Sequence, residues 1–180
     1  MLSDQKKEGG IMKKVDTGNM LITLTRSAVM LSLLMVIQYF RLPQLFTGTM
    51  VNALLLTSLI VINPYGALMI AFISPWLAFM FGILPQPLLP LIPFIMLGNS
   101  LYVLIFWLFF KKNNKPLSVI SGIALASILK FLTLSSAVRI IGNLAPKIAQ
   151  MMIFPQLITA VCGGILFLLL LSKLVLISKK

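Results

Sequence analysis

LPQLFTGTMVNALLLTSLIVINPYGALMIAFISPWLAFMFGILPQPLLPLIPFIMLGNSLYVLIFWLFF, residues 42–110, contains no charged side chain. The stretch is 69 residues long, and one bilayer-crossing helix needs ~20. Three spans with short turns fit it. Backbone groups in lipid must find partners within the chain, and the strict alternation of a membrane β-barrel is absent, so the spans are helices. The rest of the chain agrees. Of 180 residues, 59% are hydrophobic, and the mean hydropathy is +1.06, a balance no water-soluble domain of this size shows.

The reading is an all-α, polytopic membrane protein with six transmembrane helices. They cover about 22–41, 49–63, 65–84, 88–110, 117–138 and 155–177. A polar tail, 1–21, precedes them. It is no cleavable signal peptide, because the apolar run behind it is too long and no small-residue site ends it. The joints are Arg41-Leu42-Pro43-Gln44, Asn63-Pro64-Tyr65-Gly66, Pro85-Gln86-Pro87, Lys111 to Pro116, and Gly142 to Pro155. Pro43 closes the first span, since the residue before a proline is pushed out of the α region.

Six spans place both termini on one side. The ends on that side carry Lys6, Lys7, Lys13, Lys14, Arg26, Lys111, Lys112, Lys115, Lys173, Lys179 and Lys180; the opposite ends carry Arg41, Arg139 and Lys147, with Lys130 inside the fifth span. The positive-inside rule makes both termini cytoplasmic. The net charge of +12 thus reports topology. It lacks the interleaved polar surface of a nucleic-acid binder. The lone Cys162 sits in an apolar run and reads as packing.

The acids are Asp4, Glu8 and Asp16, all ahead of the first span, and there is no His. Intramembrane carboxylates and histidines are the usual relays of proton-driven carriers and the usual metal ligands. General acid–base catalysis would have only Lys, Tyr and Cys to draw on. The inventory therefore argues against an enzyme, a cofactor or metal site, and a self-sufficient pump.

Lys130 lies ~20 Å into the fifth helix, where a charge costs ~2.5 kcal/mol or more unless it snorkels or finds a partner. Two readings stand. The ammonium snorkels or bonds helix-end carbonyls, or its counter-ion is a ligand. Arg41, Arg139 and Lys147 add to a positive outer mouth that draws anions. Asn52 reads as an interhelical hydrogen bond, and Asn99, one turn before Tyr102, as a ligand contact. Each outer loop holds a Pro-Gln pair, at 43–44, 85–86 and 155–156, and two extend to Pro-Gln-Leu-Phe-Thr (43–47) and Pro-Gln-Leu-Ile-Thr (155–159). Either these trace a three-plus-three inverted repeat, or they reflect proline's aptitude for starting helices. Small-residue stripes, Ala67-Ala71-Ser74-Ala78-Gly82, Ala28-Ser32 and Ala160-Gly164, mark packing surfaces.

Six helices in about 180 residues, Pro-Gln-Leu-Phe-Thr-Gly after the first, Leu-Gly-Asn-Ser-Leu in the fourth and no charged relay together resemble the S component of an energy-coupling factor (ECF) transporter. The resemblance spans about 22–177. It implies a substrate-binding subunit for a vitamin or related micronutrient in a prokaryotic cell membrane, partnered by a transmembrane T component and two cytoplasmic ATPase subunits. It implies an outward-facing site built from the first, third and fifth loops and the last three helices. Here these hold Arg41, Gln44, Thr47, Gln86, Asn99, Tyr102, Lys130, Arg139, Gln156 and Thr159. The family's Ala-x-x-x-Ala contact for the T component corresponds to Ala28 and Ser32, with Ser in the second place. No Walker motif is present, in keeping with a borrowed ATPase. A membrane scaffold without transport and a partner-independent facilitator are the alternatives.

Overall fold

A computed structural model describes residues 17–112, 116–142 and 144–178, without the side chains of Thr17, Lys147 and residues 173–178. The acids Asp4, Glu8 and Asp16 and the cations Lys6, Lys7, Lys13, Lys14, Lys115, Lys179 and Lys180 lie outside it, as does Asn143. The described chain is all-α: α1 (Thr17–Tyr39), α2 (Gln44–Val61), α3 (Pro64–Met80), a 3-10 segment (Gln86–Leu91), α4 (Ile92–Lys112), α5 (Pro116–Ile141), α6 (Pro146–Met152) and α7 (Phe154–Ser178). Five helices are long and apolar enough to cross a membrane. The sixth, α3, has 17 residues, or about 25 Å at the helical rise. The protein is a multi-pass membrane protein.

Several boundaries differ from the hydropathy reading, each for a local reason. α2 begins at Gln44 rather than 49, because Pro43 sits at its N-cap and Thr47 Oγ1 donates back to the Leu42 carbonyl at 3.0 Å. The fourth span divides into a 3-10 turn and α4. Pro87, Pro90 and Pro93 recur every three residues, a spacing that removes N–H groups an α-helix would need and that a 3-10 turn tolerates. Asn63 caps α3, its Oδ1 accepting from the Gly66 N–H at 2.8 Å. The joint before α7 contains α6.

Two ends of the bundle are distinguishable. At one, Arg26 Nη1 donates to the Val61 carbonyl at 3.1 Å and Ser118 Oγ to the Phe109 carbonyl at 3.1 Å. At the other, Arg41 Nη2 donates to the Gly82 carbonyl at 3.1 Å. Alternating helices thus return to alternate ends.

The tightest seam joins α2 to α7. A Cβ on Gly48 would stand 2.9 Å from Thr159 Cβ, and one on Gly163 would stand 2.8 Å from the Thr49 carbonyl oxygen and 3.0 Å from the Ala53 nitrogen. Gly48 meets Thr159 and Asn52 meets Gly163, so the two helices run parallel. Small residues let backbones approach in this way where lipid offers no hydrophobic drive. The same direction bears on the paired Pro-Gln-Leu motifs. They open α2 and α7, the second and sixth spans, whereas a three-plus-three inverted repeat would relate the second to the fifth. Pro43 caps α2 and Pro155 lies in the first turn of α7, in keeping with helix initiation.

α4 packs most broadly on α5. The α3 stripe turns inward: Ala67, Ala71, Ser74 and Ala78 are buried. The Ala28-Ser32 pair on α1 is exposed, and α1 is the least buried of the crossing helices. Cys162 is exposed too, so it does not serve core packing.

Candidate functional site

A cavity of about 400 Å³ lies at the Arg41–Gly82 end of the bundle. The first loop and α2 contribute Arg41, Leu42, Gln44, Thr47, Gly48, Val51 and Asn52. Ser74 and Pro75 come from α3, and Gly82 to Pro85 from the loop behind it. The 3-10 segment and α4 add Leu88, Ile95 and Asn99, α5 adds Lys130, α6 adds Ile148, Met151 and Met152, and α7 adds Gln156. Its size falls at the lower end of small-molecule sites, and its make-up, apolar walls with a few converging polar groups, is theirs as well.

The polar groups form one network. Lys130 is 3% exposed. Its Nζ donates to Asn52 Oδ1 at 2.5 Å and to Asn99 Oδ1 at 2.7 Å, and it stands 5.4 Å from the centroid of the Tyr102 ring. Asn52 Nδ2 reaches Thr159 Oγ1 at 3.5 Å. One side chain on α5 thereby engages α2 and α4, and through Asn52 touches α7. Its stem packs on α4 at Gly98, where a Cβ would sit at ordinary contact distance, 3.5 Å from Lys130 Cγ.

This corrects the snorkelling reading of Lys130, because the ammonium turns inward to two side-chain amides rather than out to the head groups. Asn52 makes the expected interhelical bond. The amides accept from two of the ammonium's donors, and no described residue is acidic.

Of the residues singled out from sequence, Arg41, Gln44, Thr47, Asn99, Lys130 and Gln156 converge on the cavity. Four others stand elsewhere. Gln86 is exposed at the start of the 3-10 segment, and Arg139 is exposed on α5. Thr159 is buried in the α2–α7 seam, its Oγ1 donating to the Gln156 carbonyl at 3.1 Å. Tyr102 lies behind the network, and its hydroxyl donates to the Ala160 carbonyl at 2.7 Å. Tyr102→Phe is therefore expected to cost about 1 kcal/mol of stability and to leave small-molecule retention unchanged. Thermal unfolding beside a ligand assay checks both.

Gln38, the Ser74-Pro75 pair and α6 join the site without having been expected. Gln38 was legible as a lone amide one helical turn before Arg41. Pro146 followed by Ile148, Met151 and Met152 has the spacing of a short helix with one apolar face. Pro75 takes the helix position that would bond the Ala71 carbonyl and has no N–H to give.

The mouth is tied by a strained residue. Arg41 has φ +48°, a region that costs a side-chain-bearing residue about 1–2 kcal/mol, and its guanidinium holds the Gly82 carbonyl. Gly82, at φ +68°, meets its own turn without that cost. No known family model, curated protein or solved structure matches the chain.

Proposed function

We propose that this protein is the substrate-capturing membrane subunit of an ECF-type importer in a prokaryotic cell membrane. It takes up a vitamin-like micronutrient at the outer face and releases it inside when partner ATPases act. The observation that carries the reading is the cavity at one end of the bundle, with a buried cation that no described acid balances. That end has few basic residues, and the positive-inside rule turns it outward. Positive charge without relays suits capture of an anion and leaves the driving energy to partners.

The outer face of α1 supports the partner assignment. Ala28 and Ser32 are exposed there beside Val29, Leu33 and Val36, on a face that the bundle itself does not use. Small residues four apart let a T component's helix come close. The Ala28→Leu/Ser32→Leu pair is expected to reduce recovery of the T component and both ATPases with an affinity-tagged chain by ~10-fold or more, while bound small molecule stays with the chain. In proteoliposomes, the chain alone should bind solute without concentrating it, and the assembled complex should concentrate it with ATP. Accumulation against a gradient by the chain alone overturns the proposal.

A further inference from the structure

The inner wall of the cavity has more hydrogen-bond donors than acceptors. An ammonium brings three N–H groups, and Asn52 and Asn99 accept two of them. Each amide that aims its oxygen at Lys130 aims its NH2 elsewhere. That of Asn52 reaches Thr159. Asn99 is 4% exposed, and none of the described hydrogen bonds uses its Nδ2, although the residue lines the cavity. One ammonium N–H and the Asn99 amide are left with nothing of the protein's own to accept them. A buried charge is costly when unmatched, and a donor on a cavity wall is open to a ligand's acceptor.

We infer that the cavity takes a monocarboxylate, which enters carboxylate-first and seats its oxygens on Lys130 Nζ and Asn99 Nδ2. The inference rests on the capture role proposed above and narrows its substrate class. One buried positive charge matches one negative charge. A phosphate dianion would leave a charge over and would need more donors than an ammonium and an amide supply. The next cation, Arg41, is an exposed residue at the mouth, with its Nη2 on the Gly82 carbonyl. A neutral amide or alcohol could accept the hydrogen bonds but would leave the ammonium's charge unbalanced. The walls toward the mouth, Val51, Pro75, Leu84, Leu88, Ile95 and Met152, suit an apolar body behind the carboxylate.

Asn99→Asp tests the assignment without removing the cation. Asp is isosteric with Asn, and its carboxylate would stand where Asn99 Oδ1 now accepts from Lys130. The side chain would occupy internally the charge we assign to the ligand, and an ion pair in place of a lone charge should keep the bundle folded. Wild type and Asn99→Asp, tagged and purified in mild detergent from cells grown in rich medium, are denatured, and the released small molecules are quantified by mass spectrometry. The expected result is a monocarboxylic acid near one per wild-type chain, with about 10- to 100-fold less in the variant, the loss of one charged hydrogen-bonded contact. The mass separates a water-borne solute from a membrane acyl chain, and the second overturns the inference. A neutral or phosphate-bearing compound in wild type, or an acid that the variant retains, overturns it and leaves the capture role standing. An empty wild-type protein overturns both.

Discussion

Lys130→Met is expected to yield a protein that unfolds at a higher temperature than ligand-free wild type and captures nothing. In the bundle the ammonium is buried and meets two amides but no carboxylate. Two hydrogen bonds recover part of its lost hydration, and the Coulombic share stays unrecovered. Replacing a buried ion pair with apolar side chains of similar shape is commonly neutral or stabilising by ~1–4 kcal/mol, and a cation with no paired acid has less Coulombic energy to lose. Met keeps the unbranched stem that packs against Gly98. Capture falls because the charge that draws the anion has gone. The check is thermal unfolding of both proteins, stripped of small molecules, together with the ligand content of each as purified. A lower midpoint in the variant would make Lys130 a structural staple and remove the main support for a binding role.

Gly163→Leu should be the most damaging single change in the membrane domain. Even the first carbon of a side chain there would meet the Thr49 carbonyl oxygen and the Ala53 nitrogen. These are backbone atoms of α2 and cannot swing aside. Overpacking usually costs ~1–3 kcal/mol, and a full isobutyl group requires α2 and α7 to part. Asn52 sits in that seam, so the Lys130 network loses a member as the helices separate. The variant should lose most of its monodisperse peak on size exclusion in detergent. Ile165→Ala, on the exposed side of the same helix, should leave the peak intact. Equal behaviour of the two variants would mean that the seam is looser than described.

The all-α multi-pass class and six of the cavity residues were legible for one reason. A polar group in an apolar chain is conspicuous, and its cost demands an explanation. Facing was not legible. In a soluble helix, the apolar stripe marks the core. Here lipid and core are both apolar, so helices that are greasy all round carry no such stripe. The small-residue spacing illustrates this. Ala67, Ala71, Ser74 and Ala78 turn inward while Ala28 and Ser32 turn outward, on the same sequence signature. Asn52 could be read as an interhelical bond, but its partner, Lys130, lies 78 residues away along the chain. The α6 contribution was harder to see, because eight residues between Pro146 and Pro155 look like a linker until a fold gives their apolar side something to cover.

The order of the polar network along the chain also bears on how the protein is made. A ribosome delivers the N-terminal part first. Asn52 in α2 and Asn99 in α4 therefore reach the bilayer before Lys130 in α5. A lysine at mid-helix raises the insertion cost of its segment by about 2.5–3.5 kcal/mol when it enters alone. Here it arrives where two acceptors are already waiting, and the helix that closes the seam, α7, follows it.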